Sequence, residues 1–184
     1  MLSDGGRSHG VSAGGQVHGV DGHRIVAQVQ RALGGVSGPE LAEQVDHVYT
    51  TGIGWNNTEV PADIGALENP YAALWDPAYK NKTAVIDDWH TAMSMVLLKE
   101  GITDVNTNSA ADLKTVGEQL TALVAATSPK VTITMYTDVP TGQIGLAQMW
   151  SGDIINAQNY LPEGGSAEVL RYWFPADGKG LVDN

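Results

Sequence analysis

The sequence predicts an α/β domain: a three-layer lobe with a mostly parallel sheet flanked by helices. Short apolar runs rich in β-branched residues recur along the chain, as in TAVI at residues 83–86 and VTITMY at 131–136. Stretches with apolar residues at helical spacing separate them, at 89–100 and 109–125. The chain has 184 residues, 42% of them apolar, which suits one domain with a sizeable core plus an appendage.

Composition shifts near residue 48. Residues 1–23 are rich in Gly, Ser and His and carry too little apolar surface to offset chain entropy, so a loose segment is expected. Next, Ile25, Val26, Val29 and Leu33 share one helical face before Gly34-Gly35. Ser37 to Glu40 resembles a capping box for a short helix reaching about Val45. Residues 1–46 therefore read as an extension with one or two short helices, and 47–184 as the lobe.

Within the lobe, residues 47–55 predict a strand, 71–75 a short helix and 83–86 a buried strand. The helix at 89–100 places Trp89, Met93, Val96 and Leu97 on its apolar face, and Gly101 stops it. The helix at 109–125 does the same with Leu113, Val116, Leu120 and Val124, and Ser109 with Asp112 marks its start. Strands follow at 131–136, 145–150 and 168–174, with a turn or short helix at 139–145 and a short helix at 152–159. In such sheets ligands gather at the carboxyl ends of strands. Three ends carry suitable chemistry: Asp87-Asp88-Trp89, Trp150-Ser151-Gly152-Asp153 and Val182-Asp183-Asn184.

Formal net charge is −11, from 21 acidic and 10 basic residues. That balance opposes nucleic-acid binding, which needs clustered Lys and Arg, and favours cationic ligands through the long-range field. There is no cysteine, so disulfides, thiolate metal sites and a Cys nucleophile are excluded. No apolar run approaches the ~20 residues of a membrane span. Residues 1–22 have no hydrophobic core of the secretory type.

Asp87 and Asp88 close a strand beside the indole of Trp89. One can bind an ammonium while the other caps the following helix, and capping alone explains an Asp there. Trp150 can offer its ring face to a cation or serve as a core Trp. Asp153 fits a helix cap better than a ligand contact. His18, Asp21 and His23 match no zinc spacing, and no metal or cofactor is expected. Ser151, His90 and Asp88 could be imagined as a hydrolase triad, but MWSGD is not a nucleophile elbow. No phosphate-binding loop occurs, because Gly52-Ile53-Gly54 lacks its third glycine.

Residues 47–184 resemble the second lobe of the extracellular solute-binding proteins of polyamine ABC transporters, the spermidine/putrescine-binding family. YTTGIGWN at 49–56 resembles the hinge strand entering that lobe, and YAALWDPAYK at 71–80 the family's ADLW-x-P-x-YKG element. VIDDWHTAMSMVLLKEG at 85–101 is similar to the strand ending in a paired acid, and LAQMWSGD at 146–153 to the MIWNG strand end. The resemblance implies a lobe of the type II periplasmic-binding-protein kind whose companion first lobe is absent. It implies that Asp88 and Asp183 hold ligand amines and that Trp150 packs on the methylene chain, with Asp87 and Trp89 beside them. An acid expected three residues past Asp88 falls on Thr91, and an aromatic two before Asp183 falls on Leu181. The solute is therefore a polyamine such as putrescine or spermidine, or another amine, an amino acid or an opine-like compound.

The expected function is non-catalytic capture of a cationic solute for an ABC importer, in a periplasmic or extracellular setting inferred from the family. An ABC permease is the expected partner of a full-length form. The alternative is a structural fragment that binds no solute and forms a homodimer through its exposed cleft face.

Overall fold

A computed structural model describes residues 17–18, 49–175 and 181–183. The helices expected over 25–33 and 37–45 lie outside the described residues. So does the grouping of His18, Asp21 and His23, apart from the strand position of His18.

The described strands are β1 (Val17–His18), β2 (Tyr49–Asn56), β3 (Thr83–Ile86), β4 (Lys130–Thr132), β5 (Leu146–Trp150), β6 (Leu170–Trp173) and β7 (Leu181–Asp183). They form one sheet in the order β1-β6-β2-β5-β3-β4, with β7 also paired to β2. Strands β3 to β7 run one way, while β1 and β2 run the other. The sheet is thus mostly parallel in strand direction but mixed in its ladders, because the reversed β2 sits at its centre. Strands β6 and β7 lie end to end along one edge of β2, β7 beside Tyr49 to Thr51 and β6 beside Ile53 to Asn56. Strand β1 adds residues from the predicted extension to the lobe's own sheet.

Alternation along the strands builds two cores, one on each face. Ala84, Ile86, Ala147, Met149, Leu170 and Tyr172 pack on one face with Met135, Val139 and Ile154. Val85, Leu146, Ile53, Trp55 and Trp173 pack on the other with Tyr71, Leu74, Met95 and Leu123. The first face is covered by α3 (Met135–Asp138), α4 (Ser151–Asn156) and a 3-10 turn at Ala157–Tyr160. The second is covered by α1 (Trp89–Lys99), α2 (Ala110–Thr127) and 3-10 turns at Ile64–Ala66 and Pro70–Trp75. On the first face β2 contributes Gly52 and Gly54, and the side chains of Tyr172 and Met149 lie directly over them.

Two helical faces differ from expectation. On α1 the buried residues are Thr91, Ser94, Met95, Val96 and Leu97, while Trp89 is 73% exposed. Counting apolar residues misplaced the face, because Thr91 and Ser94 are small and make internal hydrogen bonds, with the Thr91 carbonyl accepting from Gln148 and the Ser94 hydroxyl donating to His90. On α2 the buried residues are Val116, Leu123 and Thr127, and Leu113 and Val124 face solvent. The strand expected over 131–136 is also shorter. It stops after Thr132, whose hydroxyl accepts from the Thr134 N–H, and α3 begins at Met135.

Candidate functional site

The candidate positions meet at one end of the sheet, where strand termini lie together. Strands β3 and β5 are parallel, so their carboxyl ends lie together. Strand β2 runs against β5 with Thr51 opposite Trp150, so its start joins that end. Strand β7 runs against β2 with Asp183 opposite Tyr49, so its end joins too. The backbone positions of Asp87, Asp88, Trp150 and Asp183 are thereby delivered to one end.

Asp88 is the N-cap of α1, its carboxylate accepting the Thr91 N–H at 2.7 Å. Hydrogen bonds from Thr91 hold its pKa below the ordinary 3.8. The cap's contribution is present above about pH 3.8 and is lost as the pH falls through the lowered value. Asp87 is exposed, and its N–H donates to the Thr132 carbonyl at 3.1 Å. Gln148 ties this corner to β5: its side-chain oxygen accepts from Ile86 N–H at 3.2 Å, and its amide donates to Thr91 O at 2.9 Å. Replacing Asp88 with alanine should cost about 1 kcal/mol in urea unfolding through loss of the cap. Asp88→Ser retains a capping oxygen and should recover most of it. Equal losses in the two variants would contradict the capping role.

Trp150 ends β5, and its ring meets Tyr49 edge-on with centroids 5.6 Å apart. The adjacent polar groups are mutually bonded. Ser151 Oγ accepts the Thr50 N–H at 3.1 Å. The Tyr172 hydroxyl donates to the Thr50 carbonyl at 2.9 Å and lies 3.1 Å from Thr50 Oγ1. Burial drives the Tyr172 pKa well above its usual 10.0, so the phenol stays protonated.

Asp153 is the residue sequence reasoning undervalued. It was expected to cap a helix, yet α4 has no side-chain cap. Its Oδ2 is buried without a hydrogen-bond partner, as is the Trp150 Nε1. Burial pushes its pKa up to about 6. The sequence signal was an acid three residues after a strand-ending Trp; its burial is a tertiary property.

Trp89 follows Asp88 at the same end and contacts His90 edge-on with centroids 5.7 Å apart. His90 Nε2 is 3.2 Å from Asn106 Oδ1, and Ser151 serves the Thr50 backbone, so no hydrogen bond joins Ser151, His90 and Asp88 into a triad. No helix among the described residues is long and apolar enough to cross a membrane. Among the same residues, no cluster of three or more His, Asp or Glu is placed to hold a metal ion.

No family model matches the sequence, and no curated protein matches it. Solved structures do. The spermidine/putrescine ABC transporter substrate-binding protein PotD from Streptococcus pneumoniae matches with a TM-score of 0.59 and 19% identity, over 82% of this chain and 46% of that one. The Tp0655 (TpPotD) lipoprotein of Treponema pallidum matches with a TM-score of 0.61 and 13% identity, over 88% of this chain and 50% of that one. This chain thus spans about half the length of the proteins it matches. At this identity the likeness is one of architecture: the chain has the α/β fold of part of a spermidine/putrescine ABC transporter substrate-binding protein.

Proposed function

We propose that this domain binds a small organic cation without catalysis, at the end of the sheet where β3, β5 and β7 end and β2 begins. The observation that supports the reading is the convergence of those strand termini, where the backbone positions of Asp87, Asp88, Trp150 and Asp183 share one end of the sheet. In this reading Asp88 and Asp183 pair with ammonium groups, Trp150 packs on the aliphatic part, and Asp87 and Trp89 border the site. Asp153 joins them as a buried carboxylate that a cation would neutralise. The net charge of −11 adds a field that concentrates cations. The likeness to transport proteins supports a solute-binding component, or one lobe of it, for an ABC importer with a permease as partner. The setting is periplasmic or extracellular, residues 47–184 form the binding lobe, and β1 extends its sheet.

Titration calorimetry with putrescine and spermidine tests this reading. Saturable heat is expected at or below millimolar ligand, lost in Trp150→Ala. No heat at millimolar concentration with any amine would sink it. A second reading, self-association through the same end, draws support from Trp89, 73% exposed. Solution scattering of the parent and of Trp89→Ala separates the two: a dimer abolished by the substitution would favour self-association.

A further inference from the structure

Helix α2 carries a second apolar stripe beside the one it buries. Val116, Leu123 and Thr127 are its buried residues. Leu113, Gly117, Leu120 and Val124 fall within about 60° of one another on the adjoining flank, at ~3.6 residues per turn. Leu113 is 40% exposed and Val124 60% exposed. Gly117 is exposed as well, and a Cβ there would meet nothing within 4 Å. Leu120 is half-buried, packed partly against the core beneath it. Gln119 lies on the opposite flank of α2, where its side chain accepts from Lys99 of α1 at 3.2 Å and its carbonyl from the Trp75 indole at 2.9 Å. The stripe is thus turned away from α1.

This stripe is complementary to itself. Its spacing of four, three and four residues is that of a helix–helix seam. It also reads the same in either direction about the midpoint of α2, between Glu118 and Gln119. Two copies of α2 packed antiparallel about a two-fold axis at that midpoint set Leu113 against the partner's Val124 and Gly117 against the partner's Leu120. A large side chain then enters the space over bare backbone at two symmetric places. Parallel pairing would oppose glycine to glycine, leave a gap there and align the helix dipoles unfavourably. The stripe holds no charged residue, so chains of net charge −11 meet there without opposed carboxylates. We propose that two copies of this chain associate isologously through the outer flank of α2, and not through Trp89. One helix pair buries less than the ~800 Å² per partner of a standard interface, so a concentration-dependent equilibrium is expected.

The test is sedimentation velocity of the whole chain over a range of concentrations. The parent should pass from monomer to dimer as concentration rises. Leu113→Glu and Val124→Lys should each weaken the dimer about ten-fold or more, because each places two unpaired charges in the seam. The double variant Leu113→Glu/Val124→Lys sets a carboxylate against an ammonium of the partner at both ends of the seam. It should regain most of the loss, with a salt sensitivity that the parent lacks. Both substituted side chains are exposed in the single chain, so its core is left alone. Trp89→Ala should leave the dimer intact. A parent that stays monomeric at every concentration overturns the proposal. So does a dimer indifferent to the single substitutions, a dimer lost in Trp89→Ala, or one that the double variant fails to restore.

Discussion

Asp153→Asn should melt at a higher temperature than the parent at pH 7.5, and the gap should shrink as the pH falls below about 6 and close by about pH 3.5. Burial raises the Asp153 pKa from 3.8 to about 6, so the fold prefers the neutral acid. The stability due to that preference is full below about pH 3.8 and is lost as the pH rises through about 6. Above pH 6 the protein carries a partly buried charge, one of whose oxygens has no hydrogen-bond partner, and asparagine removes that charge. A shift of about two units corresponds to ~3 kcal/mol for a fully buried group. Asp153 is only partly buried, and solvent screening reduces the expected gain to about 1 kcal/mol, or ~2–4 °C in a domain of this size. Identical melting shifts at both pH values would refute the assignment. The same substitution should weaken cation binding, because it removes the charge that an ammonium neutralises. In the parent, affinity should fall about ten-fold between pH 7 and pH 5 as Asp153 takes up its proton.

Gly52→Ala should be the most damaging single methyl addition in β2. A Cβ at residue 52 would lie 2.2 Å from the Trp173 carbonyl oxygen and 2.9 Å from the Tyr172 ring. The carbonyl belongs to the neighbouring strand, so relief requires β6 to move. Tyr172 is locked to Thr50 through its hydroxyl and cannot swing away. Such overpacking costs about 1–3 kcal/mol in ordinary cores, and the backbone contact places this one at or above the upper end. Gly54→Ala should be milder, since its nearest obstacle is the flexible Met149 side chain. Gly117→Ala is the control. Its Cβ would meet nothing within 4 Å in the middle of α2, so the substitution should stabilise by about 1 kcal/mol. Urea unfolding of the three variants should rank them in that order, and a harmless Gly52→Ala would show that β2 and β6 are not packed as described.

What could be read from the sequence was local. TAVI at 83–86 announced β3 to the residue, because a short β-branched run between turn residues has few other uses. Ser109 announced α2 through its cap, and Asp88 announced α1. What could not be read depended on neighbours. The reversed β2 has no signature in its own residues; its direction follows from pairing with strands far downstream. The buried side of α1 is set by Thr91 and Ser94, which pattern counting scores as polar. For the site, strand ends with acids and an indole were visible at Asp87, Asp88, Trp150 and Asp183. Tyr49 as the ring against Trp150, and Asp153 as an unpaired acid, were not, since both depend on what folds over them.

The placement of β2 has a consequence for synthesis. It emerges early, yet its ladder partners β5, β6 and β7 follow about a hundred residues or more later. Until the last of them leaves the ribosome, the central strand has bare edges and an apolar face carrying Ile53 and Trp55. Nascent chains of this protein should therefore depend on holding chaperones until β7 has emerged, and ribosomes stalled before residue 180 should display a strand still open to foreign pairing.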